Sequence, residues 1–122
     1  MIYKFRAWLK QEKKMVEPYA INFEGKVIFY KEPYVDDENM ETIKTASFDE
    51  IELMLGLKIY DETIFIGDIV RVYGGEYMFG YYEVDKIMHI NNLEDLVSLF
   101  NMDFGIDILG NIYEDKELLE NE

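Results

Sequence analysis

The stretch Ile66 to Val84, IGDIVRVYGGEYMFGYYEV, decides the fold class. Gly67-Asp68 reads as a turn into an apolar run that continues through Arg71-Val72-Tyr73. Gly74-Gly75 then supplies a two-residue turn into Glu76 to Val84. Both runs are rich in Val, Tyr and Phe, residues that suit a pleated, half-buried surface. Two glycines between them tolerate the positive φ angles of a primed turn, so the expectation is a β-hairpin. In such a hairpin, replacing Gly75 with a β-branched residue is the most damaging local change. Alternation sets Tyr73, Tyr77, Phe79 and Tyr81 on one side.

Upstream, residues 2–10 alternate with period two. Tyr3, Phe5, Ala7 and Leu9 occupy one side; Lys4, Arg6, Trp8 and Lys10 occupy the other. A polar turn at Gln11 to Lys14 follows. Tyr19 to Phe23 and Lys26 to Tyr30 form a second expected hairpin around Glu24-Gly25, where glycine accepts positive φ. Residues 31–46 look least structured: Pro33 breaks the strand, and Asp36 to Glu41 is an acidic run without periodicity, read as a solvated loop.

Ser47 and Glu50 have capping-box spacing, which predicts a short helix ending before Gly56. A strand over Ile51 to Leu55 competes with it, and helix and strand both stay open over 48–55. Downstream, Leu93, Leu96, Val97 and Phe100 form one helical stripe. Asn92 is placed to cap that helix, with Glu94 and Asp95 in its first turn. A strand from Ile106 to Ile112 and a short acidic helix from about Asp115 close the chain.

The composition fits a packed core, with 49% hydrophobic and 16% aromatic residues among 122. Disorder needs far fewer apolar residues. The chain reads as one domain, 1–122, with a subdivision near 31–46 that separates a hairpin part, 1–46, from a barrel-like part, 47–122. It has no cysteine, which rules out disulfides and thiolate metal sites and fits a reducing cytoplasm. The amino-terminal residues lack an apolar signal-peptide core, and no apolar run reaches the ~20 residues of a spanning helix. A soluble protein without membrane association is expected.

Charge is the second strong feature. Twelve basic residues face 26 acidic ones, a net charge of −14. Five of the basic residues and one acidic residue lie within 1–16, so the other 106 residues carry seven and 25, a net −18. Such a surface repels phosphates, so nucleic acid is not an expected partner. It attracts basic proteins and speeds encounter with them.

Site chemistry is sparse. His89 is the sole histidine, so no triad or Cys/His pair can be assembled. Acidic pairs such as Asp49-Glu50 and Glu94-Asp95 arise readily among 26 acids, and none follows a calcium-loop pattern. No phosphate-binding glycine motif is present. The expectations are no catalytic residue, no metal and no cofactor. The candidate interaction surface is Lys4, Arg6, Trp8 and Lys10, which set cations beside an aromatic ring, together with Tyr77, Phe79 and Tyr81 of the middle hairpin. The bland alternative for the cations is pairing with acids of the same chain.

Three islands carry a resemblance: Tyr3 to Trp8 (YKFRAW), Ile66 to Val70 (IGDIV) and Gly110 to Leu119 (GNIYEDKELL). In this order they resemble the YopX-type proteins of bacteriophages and prophages. Leu53 to Lys58 (LMLGLK) is similar to a stretch that usually carries Thr-Gly-Leu, with Leu55 in place of the Thr; the Asp-rich turn that normally comes next is replaced by Ile59 to Phe65. The resemblance implies an α+β, β-dominated fold, with a small curved sheet or SH3-type barrel-like core and short helices. It also implies self-association and a phage or prophage source, and it brings no catalytic residues. The resulting expectation is a non-enzymatic, self-associating interaction module in the host cytoplasm, forming a homo-oligomer. The alternative is an acidic nucleic-acid mimic that inhibits a basic host protein.

Overall fold

In a computed structural model, the structure describes residues 3–33, 39–74, 76–77, 80–81, 85–101 and 105–120, with backbone alone at 76–77, 80–81, 85 and 120. Among the described residues the chain is strand-dominated, with a strongly curled half-barrel sheet and two short helices. It divides into two compact units, Phe5–Met54 and a second made of Met1–Lys4 with Leu55–Glu122. No helix among the described residues is long and apolar enough to cross a membrane.

In the first unit, β1 (Tyr3–Leu9) turns back through a tip where Lys13 N–H donates to the Leu9 carbonyl at 2.8 Å, and β2 (Lys14–Val16) pairs with it antiparallel. Next come β3 (Ala20–Asn22), β4 (Val27–Pro33) and β5 (Glu41–Ser47), a sheet in the order β3-β4-β5. The β3–β4 hairpin falls where the alternation predicts, but its positive φ is at Lys26 (56°), not at Gly25. Gly25 N–H instead donates to Asn22 Oδ1, an Asx-type bond that sets the turn one residue later. The core of this unit gathers Ala7, Leu9, Ile28, Tyr30, Ala46 and Ile51.

Two expectations for 31–46 are corrected. Pro33 ends β4 instead of breaking it, because proline is tolerated at a strand terminus. The supposed loop contains β5, and 34–38 lie outside the described residues. The capping residues at Ser47 and Glu50 are real: the Glu50 carboxylate accepts the Ser47 N–H (3.0 Å) and hydroxyl (2.9 Å). They start only a 3-10 turn, Phe48–Glu50, after which β6 (Ile51–Ile59) runs on, so of the two readings left open over 48–55 the strand is the one that forms. Gly56 is therefore not a helix terminus. It lies opposite Phe65, and a Cβ there would sit 2.5 Å from the Phe65 ring.

The second unit takes the end of β6 and adds β7 (Glu62–Phe65), β8 (Asp68–Tyr73), β9 (Glu76–Tyr77), β10 (Gly80–Tyr81), β11 (Asp85–His89), α1 (Leu93–Phe100), β12 (Gly105–Asn111) and α2 (Glu117–Glu120). One four-stranded sheet has the order β2-β1-β6-β7. The middle hairpin is corrected too. β8 does not pair with the run after the glycines; its antiparallel neighbours are β11, from Asp85↔Tyr73 to His89↔Ile69, and β12. β9 and β10 form a separate two-stranded ribbon. The Gly75 expectation lies outside the described residues.

The helix is where the pattern places it, and Asn92 Oδ1 accepts the Asp95 N–H at 2.9 Å. Its buried face is turned slightly from the predicted stripe: Leu96 and Leu99 are buried, while Leu93 and Phe100 are exposed. The core of the second unit comprises Leu57, Ile59, Ile64, Val70, Val72, Ile90, Leu96 and Leu99.

Candidate interaction surface

The first strand does not present its alternate residues uniformly. Arg6 is 9% exposed and its neighbour Ala7 is fully buried, so period two fails at the middle of the strand. β1 is an interior strand of its sheet, between β2 and β6, so both of its edges are paired. Trp8 is half-buried, and Lys10 is exposed. Lys10 Nζ lies 3.7 Å from Glu52 and donates to the Asp49 carbonyl at 3.4 Å, so this cation is engaged by acids and backbone of its own chain. Lys4 is exposed and belongs to the other unit. Tyr77 and Tyr81 lie in β9 and β10, with only their backbone described, and Phe79 lies outside the described residues.

A denser charge cluster lies where sequence reading placed none. Glu32, on β4, accepts hydrogen bonds from Lys14 on β2 and from Lys44 on β5, the latter at 3.1 Å. Lys14 also lies 3.5 Å from Glu12. The hydrogen bonds from Lys14 and then Lys44 hold the Glu32 carboxyl below the usual carboxylate range, and Glu32 in turn raises both lysines. Burial, with Glu12 and Glu32 nearby, raises the Tyr30 hydroxyl. A cation–anion–cation bridge of this kind clamps three strands and leaves no free nucleophile or base.

The same unit also exposes several aromatic and aliphatic side chains. Tyr19 packs against Phe29 at 6.4 Å between ring centroids, with Lys31 Nζ 5.1 Å from the Tyr19 ring. Phe23 sits edge-on to both Phe5 (5.9 Å) and Phe48 (6.1 Å). Tyr19 is nonetheless 52% exposed, Phe23 59% and Ile43 61%. Ile43 escapes a sequence reading because its flanks, Glu-Thr and Lys-Thr, look like solvated loop. The available signal is its β-branched run Thr42-Ile43, continued by Thr45, which favours a strand.

The islands IGDIV and GNIYEDKELL meet in the second unit, where their polar residues close turns. Gly67 adopts φ 99°, which side chains disfavour. Asp68 is 2% exposed, and its carboxylate accepts the Phe65 N–H at 2.8 Å, closing the turn. The Gly67 carbonyl accepts the Ile112 N–H at 2.9 Å, while Gly67 N–H donates to Ile90. Opposite Asp68 in the ladder stands Asn111, whose Oδ1 accepts the N–H groups of Tyr113 (3.0 Å) and Glu114 (2.9 Å). These polar residues satisfy backbone where two strands end, so their chemistry is already used.

His89 is half-buried in β11. An open cleft of about 310 Å³ in the second unit is lined by Ile59, Tyr60, Asp61, Glu62, Ile64 and Ile106. Its carboxylates come from one tight turn, and no group of three or more potential metal ligands forms among the described residues. A family model described as YopX protein matches residues 4–120. No curated protein and no solved structure matches the chain.

Proposed function

This chain belongs to the YopX family, and we propose that it works as a non-enzymatic, self-associating protein-interaction module of phage or prophage origin in the host cytoplasm. The observation that carries the reading is the surface of the first unit, where Tyr19, Phe23 and Ile43 are each more than half exposed. Exposed aromatics with a polar edge suit the core of an interface. Sedimentation velocity tests it across protein concentration and salt. A defined oligomer whose mass holds as salt rises is the expected result, because apolar contacts are not screened. A monomer at every concentration overturns it.

A second reading is favoured by the net charge of −14: an acidic mimic that occupies the nucleic-acid groove of a basic host protein. Charge of this kind mainly raises association rate. A stoichiometric basic protein captured from host lysate, and lost steeply with salt, would replace the first reading.

A further inference from the structure

We propose that β5 is the docking edge through which two copies join. The β5 strand of a second copy adds antiparallel about a two-fold axis at Ile43, fusing two three-stranded sheets into one of six strands. This deepens the self-association reading and rests on it.

β5 lies at the edge of the β3-β4-β5 sheet. Its register with β4 runs unbroken from Val27↔Ser47 to Pro33↔Glu41. One side of its backbone is thus paired, and the other, which no strand among the described residues takes up, presents N–H and C=O groups as a template for another strand. The remaining edge strands among the described residues are shorter, or, like β12, interrupted by a register shift between Ile108 and Gly110. β5 has neither safeguard.

The occupant is identified by self-complementarity. Side chains alternate across a strand, so a two-fold axis normal to the sheet and midway between the strands must set one residue directly against its own copy to keep like faces together. Centred on Ile43, the register sets Ile43 against Ile43, Glu41 against Thr45, Thr42 against Lys44 and Met40 against Ala46. No like charges meet, and Ile43, now 61% exposed, gains an apolar partner. Centred on Lys44, the register would oppose two cations directly, which is destabilising. On the outer face Ile43 lies opposite Lys31 of β4, whose ammonium rests over the Tyr19 ring. The joined sheet therefore carries an unbroken row from one Tyr19 to the other.

The chain has no cysteine, so Ile43→Cys introduces a single thiol. Residues directly opposite in an antiparallel pair have the Cα separation a disulfide needs. Under diamide, Ile43→Cys is expected to form covalent dimer about tenfold faster than Thr45→Cys alone, because only the central pair is within disulfide reach. An equimolar mixture of Glu41→Cys and Thr45→Cys should cross-link where neither does alone. Ile43→Lys should shift the oligomer to monomer in sedimentation with an unchanged far-UV spectrum. An oligomeric wild type in which Ile43→Cys has no advantage, or Ile43→Lys stays associated, overturns the β5 edge and leaves self-association standing. A monomeric wild type overturns both.

Discussion

β5 and β12 are both seven-residue strands at the edge of a three-stranded sheet, yet they end their sheets in opposite ways. β12 is bulged between Ile108 and Gly110, and its last residue, Asn111, is fastened by its own side chain to the adjoining turn. A bulge twists an edge away from an incoming strand. β5 keeps its register along its whole length, carries an exposed isoleucine, and anchors its only inward charge, Lys44, to Glu32. Equal length and equal position thus produce a closed edge in one unit and an open one in the other. The difference lies in where the polar groups go: into the backbone beside β12, across the strands beside β5.

The largest effect should come from the turn that leads into β8, the strand on which the closed edge rests. Asp68→Ala removes a buried carboxylate from the Phe65 N–H and should cost about 2–3 kcal/mol in urea unfolding, the range for a hydrogen bond to a charged group that leaves its partner unpaired. A loss below half of that would mean the turn is held by other bonds. Asn111→Ala should rank next at about 1–2 kcal/mol, comparable to losing a helix cap, because two N–H groups lose their acceptor. On the open edge Thr45→Ala, an exposed change, should stay within about 0.5 kcal/mol. Equal costs at Asn111 and Thr45 would erase the contrast.

Much of this fold is legible along the chain wherever the signal is local. Period two marks β1, the Ile69 to Tyr73 run marks β8, and Asn92 with Leu96 marks α1. Partner choice is a different matter. Gly74-Gly75 points to the nearest run as the mate of β8, whereas the ladder is completed by Asp85–His89 and Gly105–Asn111, because burial of Val70 and Val72 rewards the distant strands. Ser47 with Glu50 is a sound capping pair, but the conformation of residues 51–59 is decided by the sheet that β6 enters. β5 is hidden in the sequence because its inward face offers only Ala46 to the core. On the cationic side of β1, Arg6 is buried while Lys4 and Lys10 stay exposed, a distinction that alternation alone does not draw. A pattern shows which faces are apolar, and only the completed sheet shows which edges remain open.

The bulge itself can be removed. Deleting Leu109, the extra residue between the pairs Ile108↔Val70 and Gly110↔Ile69, would make β12 as regular as β5. Its exposed Ile108 would then sit on a continuous edge. The expected outcome is new, concentration-dependent association in sedimentation at little cost in stability. If the deletion variant sediments like the wild type, regularity alone does not open an edge, and β5 would owe its openness to Ile43 and its register.

The smallest effect should come from the charges that brace the open edge. Glu32 has its carboxyl held below the ordinary value of 4.5 by Lys14 and Lys44. A depressed folded-state value means that its contribution is present above that ordinary value and is lost as pH falls through the lower, folded one. Glu32→Gln should therefore be less stable than wild type near neutral pH by only about 0.5 kcal/mol, since the two lysines are half-exposed and solvent screens them. The gap should narrow as pH drops below 4.5 and shrink again in molar salt. A gap that persists into acid would mean that Glu32 acts through packing or a neutral hydrogen bond. In that case β5 would be braced as β12 is, by satisfied polar groups, and the two edges would differ only in the bulge.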